Sequence, residues 1–309
     1  MKIGLALGSG GARSFCQVGA IKVLEREGIN FDIITGSSMG AVVGSIYSVT
    51  KNSKVLEEGI IEFASQPVVK KIERTFTRHR KRNFFKRAID GFKDLMLLLN
   101  DSFRKGLVPS SKILTSLYEY FKKDFIFEES QITLGVVAVE YYSGKITIFN
   151  RGKIIPAVVA SCAIPGFITP VEINNKKYFD GGVGTSVPVI PNYLLGADVI
   201  IGIENEPFLS SEEPMNTFEI LVQAEKIKNR YSTALEKSLA DFIIKVELEG
   251  IEWFNFSYVK ECIKIGEKIA EKSLKEIEKI LTKANPEISL LRKRYMDLIK
   301  EYFSTESSV

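Results

Sequence analysis

Phe31-Asp32-Ile33-Ile34-Thr35-Gly36-Ser37-Ser38-Met39-Gly40 passes from a short apolar strand, through a run of small residues, into a stretch (Met39 to Ser48) that reads as a buried helix. Strand, turn and helix around a G-x-S-x-G pattern are what a nucleophile elbow needs. Small flanking residues, here Gly36 and Gly40, let the backbone turn sharply and present the central Ser38 hydroxyl at the tip of a sheet. Toward the N-terminus, Lys2 to Leu7 is a second apolar strand, bounded by Gly8-Ser9-Gly10-Gly11. Arg13 to Glu27 follows with helical periodicity (Phe15, Val18, Ile21, Val23, Leu24) and a stop at Gly28. This β-α-β-α opening implies a parallel sheet with helices on both faces. The predicted architecture is a three-layer α/β/α sandwich with a mostly parallel central sheet.

Toward the C-terminus, Gln131 to Glu140 and Lys145 to Asn150 read as strands, and Ala157 to Cys162 as a helix of small residues. Residues 171 to 179 look like a hairpin around Asn174-Asn175 that ends at Asp180-Gly181-Gly182. Val199 to Glu204 and Phe242 to Val246 read as further strands. Tyr258 to Tyr302 is helical, restarted at Asn285-Pro286-Glu287. The expected organisation is one domain over residues 1–280, a basic amphipathic helical insertion or lid near 68–105, and a helical extension over 281–309.

Composition is that of an ordinary globular protein, and the formal net charge of +4 is mild. No apolar run approaches the length that spans a bilayer, and the N-terminus lacks the pattern of a secretory leader. A cytoplasmic setting is therefore expected. The three cysteines, Cys16, Cys162 and Cys262, are scattered and odd in number, so neither a disulfide framework nor a zinc site is indicated. No metal or organic cofactor is expected.

A serine hydroxyl is a poor nucleophile unless a base takes its proton. In most elbow hydrolases that base is a histidine placed last in chain order. The only histidine here is His79, inside an Arg/Lys run and ahead of every later acid. A Ser-His-Asp triad in that order is excluded, so a catalytic Ser38 needs another base, and a carboxylate is the leading choice. Asp180 is the first candidate because it sits at the end of an apolar segment before two glycines. Burial there would raise its pKa from the ordinary value of about 3.9 and make it a better proton shuttle. The competing reading is a plain Asp-Gly-Gly turn. Gly8-Ser9-Gly10-Gly11-Ala12-Arg13 is open in the same way. Its N–H groups suit either a phosphate or the oxyanion of an acyl intermediate, and a tight packing turn explains it as well. As a dinucleotide fingerprint it is poor, since Arg13 stands where the third glycine belongs.

Taken together, Leu7 to Arg13, Gly36 to Gly40, Ser161-Cys162-Ala163-Ile164-Pro165-Gly166-Phe167 and Asp180-Gly181-Gly182 resemble the patatin-like phospholipase family in order and approximate spacing. The likeness covers residues 1 to about 66 and about 106 to 280. It implies a Ser-Asp dyad, with Ser38 as nucleophile and Asp180 as base, in agreement with the histidine argument. It also implies an oxyanion hole around Gly8, Gly10, Gly11 and Arg13, with Gly36, Gly40, Gly181 and Gly182 in support. Fatty-acyl esters of lipids or phospholipids would be the substrates. The chain departs from the family pattern at Ser9, Ser14 and Thr185, which bears on substrate range and rate rather than on reaction class. Two other readings stay open: an inactive lipid-binding or scaffolding member, and a nucleotide-binding protein using Gly8 to Arg13.

Lys70 to Arg87 is crowded with cations, and Phe84 to Leu99 carries an apolar stripe at helical spacing. That pairing fits an interfacial helix resting on an anionic membrane through residues 70–99. It fits equally a helical lid over the site, with His79 as one more solvated side chain. Nucleic acid is not an expected partner, because the patch is local. Tyr295, Leu298, Ile299 and Tyr302 suit packing or a dimer contact, and the sequence chooses neither.

Overall fold

The computed structural model describes residues 1–80, 109–121, 125–205, 217–282 and 285–308. Its strands are β1 (Ile3–Leu7), β2 (Ile33–Ser37), β3 (Thr133–Glu140), β4 (Ile146–Gly152), β5 (Val171–Ile173), β6 (Lys176–Asp180), β7 (Val199–Glu204), β8 (Phe242–Lys245) and β9 (Phe303–Ser308). The helices are α1 (Cys16–Arg26), α2 (Met39–Thr50), α3 (Ser53–Ser65), α4 (Pro67–Arg80), α5 (Ser110–Phe121), α6 (Ile154–Ser161), α7 (Val189–Leu194), α8 (Thr217–Ser238), α9 (Val259–Thr282) and α10 (Pro286–Ile299). All the strands join one sheet, with the order β5-β6-β3-β2-β1-β7-β8 and with β4 and β9 alongside β3.

The block β3-β2-β1-β7-β8 is parallel throughout. Antiparallel pairings of β3 with β4 and β6, and of β5 with β6, make the whole sheet mixed. Alternation along each strand sends successive side chains to opposite faces. Leu5, Leu7, Ile34, Ile201 and Ile203 enter one core with residues of α1, α2, α3, α6 and α9. Ala6, Ile33 and Ile200 enter the other with residues of α7 and α10. Helices on both faces of the sheet are the three layers expected of an α/β chain.

One topological detail places the site. On the edge of β3 opposite β4, β2 pairs up to Ser37↔Val137, and β6 pairs from Asp180↔Ala138 onward. The two strands run in opposite senses and end against each other beside consecutive residues of β3. The residue that follows β2 is Ser38, and the last residue of β6 is Asp180. Residues 142 apart in sequence therefore meet because they share one strand edge.

The C-terminal region does more than extend a helix. Arg292 of α10 is fully buried, donating to the carbonyls of Leu239 (2.6 Å) and Asp198 (3.0 Å) and pairing with Asp241. After α10 the chain turns into β9, which pairs parallel with β4. In the basic region, α4 presents Lys70, Lys71 and Arg74 as exposed residues. The expected amphipathic stripe from Phe84 to Leu99 lies outside the described residues. Among the described residues no helix is long and apolar enough to cross a membrane.

Candidate active site

Ser38 immediately precedes α2 and holds φ at 54°, a strained left-handed value that the sharp strand-to-helix turn of an elbow imposes. The turn closes against the end of β1. A Cβ on Gly40 would stand 2.3 Å from the Leu7 carbonyl oxygen and 2.8 Å from that of Gly8, so only glycine permits this seat. Gly36 packs under the same turn, against Ala41.

The Ser38 hydroxyl donates to Asp180 Oδ2 at 2.6 Å. Both residues are buried, at 7% and 5% exposure. The second carboxylate oxygen, Oδ1, accepts from the Gly182 N–H at 2.7 Å. Gly181 fits between Val137 and Ser37, and Gly182 lies beside the Ser9 side chain. Burial pushes the Asp180 carboxyl up to about 6, against the pull of the hydrogen bonds from Ser38 and Gly182. Such a group is mostly ionised at neutral pH, yet is a stronger base than an exposed aspartate.

Two contacts escaped the sequence reading. Ser161, at the end of α6, accepts from the Ser38 N–H at 2.9 Å and donates to the Val137 carbonyl at 2.5 Å. One hydroxyl thus ties the elbow to β3. Cys162 lies next to Ser38 and Asp180, and burial followed by the Asp180 charge drives its pKa upward, so it stays a thiol. Both residues belong to the Ser161–Phe167 motif, but residue types alone gave them no role.

The glycine loop is narrower as a donor surface than expected. Gly8 is not a free donor, because its N–H continues the β1–β7 ladder to Ile203 O at 3.1 Å. Ser9 donates to Ser186 O at 2.7 Å and Ala12 to Trp253 O at 2.7 Å. Among the described residues, the N–H groups of Gly10, Gly11 and Met39 have no protein acceptor. Asn205 holds the loop, donating to Ser9 O at 2.8 Å and accepting from Gln17 at 3.3 Å. A lone Asn after β7 carried no sequence signal. Arg13 is buried with Nε unpartnered. Burial lowers its pKa, against the opposing pull of the Glu252 charge. Among the described residues no three His, Cys, Asp or Glu side chains cluster as a metal site.

The family model for patatin-like phospholipases matches residues 5–193, which include the elbow, the glycine loop, Ser161 and Asp180. The chain belongs to the patatin-like phospholipase family. An uncharacterized NTE family protein of Mycobacterium tuberculosis (strain H37Rv) is 32% identical to this patatin-like chain over 202 residues, covering 65% of the chain and 48% of the relative. Lysophospholipase nte1 of Emericella nidulans is 28% identical over 203 residues, 65% of this chain and 12% of that one. The chain thus spans about half the length of the mycobacterial relative. Among solved structures, VipD from Legionella pneumophila aligns with a TM-score of 0.43 and 15% identity, over 89% of this chain and 66% of that chain. The patatin-like match ends at residue 193, so Asn205 and the segment carrying Glu252 fall beyond it.

Proposed function

We propose that the protein is a serine acyl hydrolase acting on fatty-acyl esters of lipids through Ser38 and Asp180. The observation that carries this reading is the 2.6 Å hydrogen bond from a buried, elbow-borne hydroxyl to a buried carboxylate of raised pKa. Asp180 takes the Ser38 proton as Oγ attacks the acyl carbonyl. The N–H groups of Gly10, Gly11 and Met39 receive the oxyanion, the last as the residue after the nucleophile. Collapse of the tetrahedral species returns the proton to the leaving alcohol and leaves an acyl-serine. Asp180 then takes a proton from water, the resulting hydroxide attacks the acyl-serine, and Ser38 recovers its proton as the fatty acid departs. The sequence as written uses no metal and no organic cofactor.

The loop's commitments weigh against the nucleotide reading. With Gly8, Ser9 and Ala12 already bonded to the protein, the loop keeps too few N–H groups to cradle a phosphate in the way a glycine-rich phosphate loop does. Labelling with a fluorophosphonate tests the proposal. Wild type is expected to be labelled at Ser38 and to hydrolyse p-nitrophenyl esters, and Ser38→Ala to do neither. Undiminished turnover by purified Ser38→Ala protein would overturn it.

A further inference from the structure

We infer that the groove between α2, α3 and α6 receives the acyl chain of the ester, which lies along α2 away from Ser38. The inference takes its orientation from the hydrolase reading, while the groove's chemistry stands by itself. The cavity measures about 270 Å³. Val42, Ile46 and Val49 of α2 line one wall, Ile155 and Val158 of α6 another, and Val55 of α3 the rim.

Among the described residues, the two hydroxyls that line the groove are already spent, and the remaining polar side chain, Glu62, stands exposed at the rim. The Ser45 hydroxyl donates to Ala41 O at 2.6 Å and the Thr50 hydroxyl to Ile46 O at 2.8 Å, both within α2. Hydroxyls bonded back to their own helix offer nothing to a polar guest, so the lining is apolar in function. An apolar concavity of this kind selects a hydrocarbon.

The walls of the groove lie next to the site along α2 and α6, although neither Ser38 nor Asp180 lines it. Val42 lies one helical turn after Ser38, and Val42, Ile46 and Val49 fall on one face of α2. Side chains on a helix lean toward its N-terminus, which here is the Ser38 end. On α6, Val158 lies one turn before Cys162, whose N–H donates to the Val158 carbonyl at 3.0 Å. Both walls thus begin within a turn of the hydroxyl–carboxylate pair and recede from it together. From Val42 to Thr50 the groove runs about 12 Å at 1.5 Å per residue. Its far end meets Phe125 and Ile154, and Glu62 stands exposed at the rim. A carboxylate there disfavours an anionic guest and leaves the headgroup to the Ser38 end.

The test is a chain-length series on the full-length protein with p-nitrophenyl butyrate, octanoate and dodecanoate, together with calorimetric binding of dodecanoate. Wild type is expected to gain in kcat/KM with length, by about fourfold for each methylene that enters the groove, corresponding to about 0.8 kcal/mol. Ile46→Trp fills the groove, and Val55→Trp, on the exposed rim, does so without disturbing the core. Either is expected to lower the dodecanoate-to-butyrate ratio by at least about tenfold, by excluding two or more methylenes, with butyrate turnover kept and dodecanoate binding weakened. Val55→Trp carries the test if Ile46→Trp melts early. An unchanged ratio and unchanged dodecanoate binding in a folded Val55→Trp protein would overturn the groove, whether the protein's own side chains fill it or the acyl chain lies elsewhere. Absence of ester turnover and of Ser38 labelling, with dodecanoate binding that Val55→Trp still weakens, would sink the hydrolase reading alone and support the groove.

Discussion

Two buried carboxyls in this molecule share a raised pKa and a neighbouring hydroxyl, and differ in where that hydroxyl stands. Asp180, at the end of β6, is pushed up to about 6 by burial, and Glu236, near the end of α8, is pushed up to about 8 by burial, with the charge of Glu204 adding to it. Asp180 accepts from a hydroxyl on a strained elbow and from one backbone N–H. Glu236 accepts from the Val187 N–H at 3.1 Å, one residue past the carbonyl that receives the Ser9 N–H. Glu204 is itself paired with Lys237 at 2.8 Å. The contrast teaches that desolvation alone does not make a catalytic acid or base. A hydroxyl neighbours each carboxyl, Thr185 beside Glu236 and Ser38 against Asp180, and what separates the two is that Ser38 stands on the strained strand-to-helix elbow. Glu236 braces the segment behind the glycine loop.

The largest expected effect breaks or sustains that distinction directly. Ser38→Ala and Asp180→Asn should each lower kcat/KM on an ester by on the order of a thousandfold or more, with melting temperatures near wild type. Glu236→Gln should stay within a few-fold. Steady-state kinetics on the three purified proteins decides it, and an equal loss in Glu236→Gln would erase the contrast. Next in size is Gly11→Ala. Gly11 holds φ at +58°, and a Cβ would lie 2.2 Å from the Trp253 carbonyl oxygen. The loop must shift, and if Gly11 is the oxyanion donor proposed above, its loss should lower kcat by on the order of a hundredfold. A kcat within twofold of wild type would remove Gly11 from the donor set. Smaller again is Ser161→Ala, which leaves the Ser38 N–H and the Val137 carbonyl without their shared partner. Stability should fall by about 1–3 kcal/mol and kcat by about tenfold, and recovery of kcat in Ser161→Thr would mark the hydroxyl as a positioning group. The pH profile of wild type should show kcat/KM falling about tenfold per unit below pH 6, as protonation of Asp180 removes the base.

Much of this was legible before any coordinates. The elbow is local, and five residues with their flanks specify its turn. The parallel block followed from alternating strand and helix signals, and the hairpin from Asn174-Asn175, both of which hold positive φ at 51° and 59°. The pairing of Ser38 with Asp180 was reachable only through a missing histidine and a family resemblance, because the contact is made by strand register on β3. Register across so long a separation leaves no local trace. The same limit hid Asn205 and Ser161, whose importance lies in which carbonyls and amides they reach. Gly8 was misjudged because the β1–β7 ladder extends one residue beyond the apolar run. Strand ends are set by the partner strand as much as by their own residues.

The smallest effect tests the other half of the comparison, that Glu236 is a stability element. Its carboxyl is raised from an ordinary 4.5 to about 8 in the folded protein, so between those values the native state binds more protons than the unfolded one. Stability from this group is therefore fully present below about pH 4.5 and is lost as pH rises through about 8. Glutamine keeps an oxygen to accept the Val187 N–H and cannot ionise. Thermal melts should thus find Glu236→Gln more stable than wild type at pH 9, by at least about 1 kcal/mol or 2 °C. At pH 5, where wild-type Glu236 is already protonated, the difference should shrink or reverse. A Gln variant that loses stability equally at both pH values would mean that the folded protein relies on the ionised form, and Glu236 would then belong with Asp180 as a working carboxylate.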